Sequence, residues 1–156
     1  MKSLVAYFSA SGNTGTLAMH LAKAADADLF RIEPEVPYTE ADLKWTNPLA
    51  RCNKEKIGKK DVPIKDKVGN FDDYELVMIG FPVWYFTAPN IISTFVKDYD
   101  FTGKKVALFA TSGGSDITKA PATLQPLMKG EIIGAKRFEA DADRATIISW
   151  MRGIGI

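Results

Sequence analysis

The stretch Ser9-Ala10-Ser11-Gly12-Asn13-Thr14-Gly15 has the residue types and spacing best suited to holding an anion. It follows the apolar run Leu4-Val5-Ala6-Tyr7-Phe8, which reads as a buried strand. It runs into Leu17-Ala18-Met19-His20-Leu21-Ala22-Lys23, which reads as a helix. The first amides of a helix have no internal acceptor, and the helix dipole favours negative charge there. Ser9, Ser11 and Thr14 add hydroxyl donors, and Gly12 lets the backbone approach a ligand closely. The turn contains no Lys or Arg, so a phosphate bound here is held by neutral donors. The plainer alternative is a helix that Asn13 or Thr14 merely caps. The turn by itself leaves both readings open.

The missing cation sorts the phosphate chemistries. A P-loop needs a Lys that reaches the terminal phosphates of a nucleoside triphosphate, followed by Ser or Thr for magnesium, and the chain has no Gly-Lys-Ser/Thr. The dinucleotide fingerprint needs three glycines at fixed spacing, of which Gly12 and Gly15 supply part. What remains suits a terminal phosphate monoester.

The elements that position this turn alternate along the chain. Asp28-Leu29-Phe30-Arg31-Ile32-Glu33 reads as a second strand, ended by Pro34 and Pro37, and its mixed character suits a sheet edge. Thr39-Glu40-Ala41-Asp42 resembles a capping box. Asn47-Pro48 reads as a second helix start, and Lys54 to Lys67 as a Lys-rich solvated loop. Glu75 to Phe81 is almost wholly apolar and reads as a central strand, and Ala88 to Tyr99 as a helix with Ile92, Phe95 and Val96 on one face. Lys105 to Thr111 is a fourth strand. A helix is expected between Lys119 and Lys129, and a short fifth strand around Ala135 to Glu139. Asp141 or Asp143 caps a last helix carrying Ile147, Ile148, Trp150 and Met151. Such alternation predicts an α/β fold: a doubly wound, five-stranded parallel sheet with helices on both faces, forming one domain over residues 1–156.

Binding sites in doubly wound sheets lie outside the carboxyl ends of the strands. Three unusual loops belong at that edge. Ser9–Thr14 offers phosphate donors, Pro82-Val83-Trp84-Tyr85-Phe86-Thr87 offers aromatic rings, and Thr111-Ser112-Gly113-Gly114-Ser115 offers backbone amides flanked by hydroxyls. Together they suit a planar heteroaromatic with a phosphorylated tail.

These loops resemble those of the flavodoxin family. The likeness is to the branch with a Ser/Thr-x-Ser/Thr-Gly-Asn-Thr phosphate loop, Pro-x-Trp-aromatic in the second loop and Thr-x-Gly-Gly-Ser in the third. It covers nearly the whole chain, and the motifs occur in the family's order. The resemblance implies FMN as cofactor and strand order 2-1-3-4-5. By position it implies that Ser9, Ser11, Gly12, Asn13 and Thr14 hold the phosphate. Pro82, Val83, Trp84 and Tyr85 would flank the isoalloxazine, and Thr111, Ser112, Gly113 and Gly114 would meet its pyrimidine edge. Trp45, Arg51 and Glu55 resemble a further segment of the same branch, and the chain is of the short type. The implied role is electron transfer between redox partner proteins. An FMN-dependent NAD(P)H (quinone) oxidoreductase is the alternative on the same fold, and a non-redox anion-binding module the alternative outside redox chemistry.

Composition narrows the setting. The chain has 156 residues, 46% hydrophobic and 25% charged, enough for a sizeable core. Its formal net charge of +1 gives no basis for nucleic acid or an anionic membrane as partner. It also departs from the strong acidity of many flavodoxins. One cysteine, no leader-like start and no membrane-length apolar run make a cytoplasmic setting the expectation. His20, the only histidine, falls mid-helix and reads as a surface residue rather than part of a triad. Cys52 reads as a bystander, because a tyrosine-phosphatase loop needs Arg where Gly58 stands. No Cys/His cluster matches a metal site.

Overall fold

The computed structural model describes the chain apart from Met1, Ser11, Trp45, residues 58–60, Tyr85, Phe86, residues 112–116, Thr118 and Ala140; for Lys56 and Ile57 only the backbone is described. The strands are β1 (Ser3–Tyr7), β2 (Asp28–Arg31), β3 (Leu76–Pro82), β4 (Lys105–Thr111) and β5 (Glu131–Phe138). They form one wholly parallel sheet in the order β2-β1-β3-β4-β5. The helices described are α1 (Asn13–Ala25), α2 (Arg51–Ile57), α3 (Asn90–Asp98), α4 (Ala120–Leu124) and α5 (Arg144–Gly153). The expected architecture and strand order are therefore those observed.

Strand periodicity divides the core into two layers. Val5, Met78, Ala107 and Phe109 pack beneath α1 and α5, against Leu17, Leu21, Ile147 and Met151. Their neighbours Leu4, Ala6, Val77, Ile79, Val106 and Leu108 point to the other face, where Ile91, Ile92 and Phe95 of α3 and Leu124 of α4 cover them. Strands buried on both faces need continuous apolar runs, which β3 and β4 supply. β2 has open solvent along one side and is mostly exposed, as its mixed sequence predicted.

Gly80 stands between Tyr7 and Phe109 in the ladder. A Cβ there would lie 2.2 Å from Cε2 and Cζ of Phe109, so the aromatic ring occupies the place of a side chain. The Thr39–Asp42 capping box is present around the 3-10 turn Ala41–Leu43. Thr39 N donates to Asp42 Oδ2 at 2.9 Å, and Asp42 N donates to Thr39 Oγ1 at 3.2 Å. Asp143 is the cap of α5, its Oδ1 accepting from Thr146 N at 2.8 Å.

Three local expectations are corrected. β5 is not short: at 8 residues it is the longest strand described. Gly134 interrupts its apolar pattern because Ile154 packs there, with Cγ2 2.7 Å from where a Cβ would be. Asn47 does not start a helix. Its Oδ1 accepts from Leu49 N at 3.0 Å in a local turn, and α2 begins at Arg51. Lys54 to Lys67 is not all solvated loop, since α2 extends to Ile57, Val62 is buried and Ile64 bridges Pro34.

Candidate functional site

The described parts of the three loops meet at the carboxyl edge of the sheet. β1 delivers Ser9 into a mostly buried position. Its Oγ accepts from Gly12 N and Gly15 N, both at 3.1 Å, so these amides converge on one oxygen. Gly12 has φ +94°, a left-handed conformation that glycine adopts without steric cost, and it starts α1 with no side-chain cap of its own. The capping that the plainer reading assigned to Asn13 or Thr14 comes instead from Ser9, whose Oγ accepts from the first-turn amide of Gly15. Asn13 and Thr14 lie in the first turn of α1, where backbone donors have no intrahelical acceptor.

Thr14 points inward, 2% exposed, and its Oγ1 lies 2.7 Å from Oγ1 of Thr111 at the end of β4. This hydrogen bond ties the first loop to the third. The second loop joins them through Val83 N, which donates to Thr111 O at 3.0 Å, while Pro82 sits opposite Thr111 in the ladder. Trp84 and Thr87 exchange backbone hydrogen bonds of 2.9 and 3.1 Å. Ser11, Tyr85, Ser112, Gly113 and Gly114 lie outside the described residues. Of the thirteen positions expected from the sequence, the eight that are described are Ser9, Gly12, Asn13, Thr14, Pro82, Val83, Trp84 and Thr111, and all fall at this edge.

Among the described residues, the Thr87 hydroxyl is the buried side-chain group without a hydrogen-bond partner. A buried hydroxyl left unpaired costs roughly 1–3 kcal/mol, which a ligand could recover. The absence of a cation from the loop, the first-turn amides of α1 and the loop hydroxyls make a neutral polar donor set suited to a phosphate monoester.

The sequence did not mark the aromatic wall beside the loop. Trp84 packs edge-on against Phe8 and Tyr38, with ring centroids 5.9 and 5.7 Å away. Phe8 and Tyr38 are 5.6 Å apart. Tyr38 donates its hydroxyl to Glu55 Oε1, and the Arg51 guanidinium lies 4.0 Å from the centre of its ring. Burial, then the hydrogen bond to Glu55 and that carboxylate's charge, push the Tyr38 phenol far above its ordinary range, with Arg51 opposing. Tyr38 is thus a neutral donor at physiological pH. Phe8, Ser9, Ala10, Pro34 and Tyr38 line part of a 270 Å³ cleft beside the first loop. A hollow of 450 Å³ over Lys136 and Trp150 shares no lining residue with the three loops and offers no comparable donor set.

His20 is exposed on α1. Cys52 is buried, and its burial raises the thiol above its ordinary range, which disfavours the nucleophilic thiolate. No cluster of three or more His, Cys, Asp or Glu that could hold a metal occurs among the described residues. Nor, among them, is any helix long and apolar enough to cross a membrane.

A doubly wound parallel sheet in the order 2-1-3-4-5, with a hydroxyl-rich turn leading from its first strand into a helix, defines a protein of the flavodoxin-like fold. The sequence profile described as Flavodoxin matches residues 2–154, and the chain belongs to the flavodoxin family. It is 28% identical over 166 aligned positions to a flavodoxin from Maridesulfovibrio salexigens, covering 98% of this chain and 96% of that one. A candidate flavoprotein from Bacteroides eggerthii is 38% identical, covers 99% of this chain and 98% of its own, and superposes with a TM-score of 0.92. A flavoprotein from Lactobacillus acidophilus, solved in complex with FMN, is 26% identical, with 96% and 97% coverage and a TM-score of 0.73.

Proposed function

We propose that this chain binds FMN at the carboxyl edge of its sheet and carries electrons between redox partner proteins in the cytoplasm. The observation that carries the reading is the convergence of the three loops, fastened by the Thr14–Thr111 and Val83–Thr111 hydrogen bonds. The family of the chain and the FMN complex of the Lactobacillus acidophilus relative support the choice of ligand. FMN, when bound, supplies the capacity to accept and release electrons.

The chain's own residues would bind and orient. The amides of Asn13 and Thr14 in the first turn of α1 would hold the phosphate, with Ser9, Ser11 and Thr14 supplying hydroxyls. Pro82, Val83, Trp84 and Tyr85 would bound the ring. Thr111, Ser112, Gly113 and Gly114 would offer donors to its polar edge, and donors aimed at developing negative charge favour the reduced form.

Calorimetry with FMN and riboflavin tests the ligand. Hydrogen bonds to a charged group contribute roughly 1.5–3 kcal/mol each, so riboflavin is expected to bind several orders of magnitude more weakly. Equal affinities would sink the phosphate assignment. The alternative of an NAD(P)H oxidoreductase keeps one observation in its favour, the formal net charge of +1 where an acidic surface would serve docking on basic partners. Absorbance after adding NADPH separates the two. A carrier is reduced slowly by NADPH and in two separable one-electron steps by dithionite. Rapid stoichiometric bleaching with turnover on a quinone would select the reductase.

A further inference from the structure

Arg51 and Glu55 have no place in the binding scheme above, yet both are held on the site side of α2. Arg51 Nε donates to Glu55 Oε2 at 2.9 Å, one helical turn away, and both side chains are largely sequestered, at 22% and 13% exposure. Arg51 Nη1 also donates to Val36 O at 2.8 Å and Pro37 O at 3.2 Å, the two carbonyls that precede Tyr38. Asn90 Nδ2 donates to Glu55 O at 2.6 Å, which links the end of α2 to the start of α3. The pair therefore grips Tyr38 three ways: by its backbone approach, by its ring face and by its hydroxyl. Tyr38 in turn sets its ring edge-on to Trp84, with an interplanar angle of 82°.

We propose that Arg51 and Glu55 are positioning residues which, through Tyr38, fix the orientation of Trp84 as the wall of the ring site. The proposal rests on the FMN reading for its functional meaning, but the geometry it describes is intrinsic to the apoprotein. An ordinary surface ion pair contributes little and fixes nothing beyond itself. This one differs in holding a third side chain by a ring face, by its hydroxyl and by the carbonyls that precede it. Arg is required rather than Lys, because only a planar guanidinium can lie on the ring while donating to two carbonyls and a carboxylate.

The test uses the near-ultraviolet circular dichroism of the apoprotein, where a tryptophan held in one orientation gives a strong signal. Glu55→Ala and Arg51→Lys are expected to reduce the tryptophan bands, and Glu55→Gln, whose single amide oxygen can accept from Tyr38 but no longer also from Arg51, to restore them in part. In a Trp84→Phe background the same substitutions are expected to leave the remaining tryptophan bands unchanged. Tyr38→Phe, which retains the ring but releases its tether, is expected to act like Glu55→Ala and serves if the latter fails to fold. Equal losses with and without Trp84, or no loss in either, would overturn the proposal. In the holoprotein, Glu55→Ala is expected to weaken FMN roughly two- to tenfold, the range an aromatic pair spans, and to raise bound-flavin fluorescence. Failure of the parent to bind FMN would refute the ligand assignment while the apoprotein arms still decide the positioning role.

Discussion

The hydroxyl oxygens of Thr14 and Thr111 stand 2.7 Å apart across 97 residues of sequence, joining the first turn of α1 to the last residue of β4. Both side chains are buried. Neither hydroxyl can lose the other without leaving a polar group in an apolar setting.

Thr14→Val and Thr111→Val should therefore each destabilise the protein by about 1–3 kcal/mol. The double variant should lose less than the sum, because the two hydroxyls are removed together and no orphan remains. Urea denaturation of the set gives the coupling directly. FMN affinity should fall about tenfold or more in Thr14→Val, reported by calorimetry on folded protein. Strict additivity would mean that the pair is not formed in solution.

Trp84 and Tyr85 are expected to quench flavin emission by contact. Replacing both by Ala should raise the fluorescence of bound FMN and weaken binding by about 0.5–1.5 kcal/mol per ring interaction lost. Quenching that persists at the parental level would place the stacking surface elsewhere.

Gly80→Ala forces a methyl into the ring of Phe109, at 2.2 Å from two of its carbons. Overpacking of this kind costs roughly 1–3 kcal/mol. Pairing the change with Phe109→Leu should recover part of that loss. A shift of the denaturation midpoint in the single variant and a smaller one in the pair would confirm that the ring stands in for the absent side chain.

Asp42, Asp100 and Asp143 are held below their usual value by hydrogen bonds from Thr39, Thr102 and Thr146. A carboxyl that is more acidic folded than unfolded contributes stability above its unfolded value of 3.8, and that contribution fades as pH falls through the lower folded value. The denaturation midpoint should be flat near neutrality and drop below about pH 4. Replacing the three by Asn should flatten that drop. A difference between parent and variant that stays constant down to pH 2 would exclude these contacts as its source.

Legibility in the sequence followed the range of the forces involved. β3 and β4 announced themselves because burial on both faces demands unbroken apolar runs, and the Ser9–Gly15 turn because its chemistry is local. β5 was underestimated because Gly134 interrupts its apolar pattern, and the space there is filled only once Ile154, just past the end of α5, packs onto it. Asn47-Pro48 carried a sound helix-start signal, but Asn47 spends its side chain on Leu49. The role of Tyr38 was not readable. Its partners Phe8, Glu55 and Trp84 come from three separate segments, and no local pattern marks a residue defined by what folds onto it. Arg51 and Glu55 were visible as a family segment, and their task only as a cage around a ring.

The placement of β1 between β2 and β3 also orders events in time. α1 lets β2 join β1 early, but Val5 must wait for Met78 before its other side is zippered. Closing so long a stretch of chain is entropically costly and makes non-local pairing the slow part of folding. During synthesis, the anion loop emerges first and its threonine partner at position 111 much later. A chain halted anywhere between them carries the loop without its floor. Truncation before Thr111 is therefore expected to remove part of the frame that holds the loop.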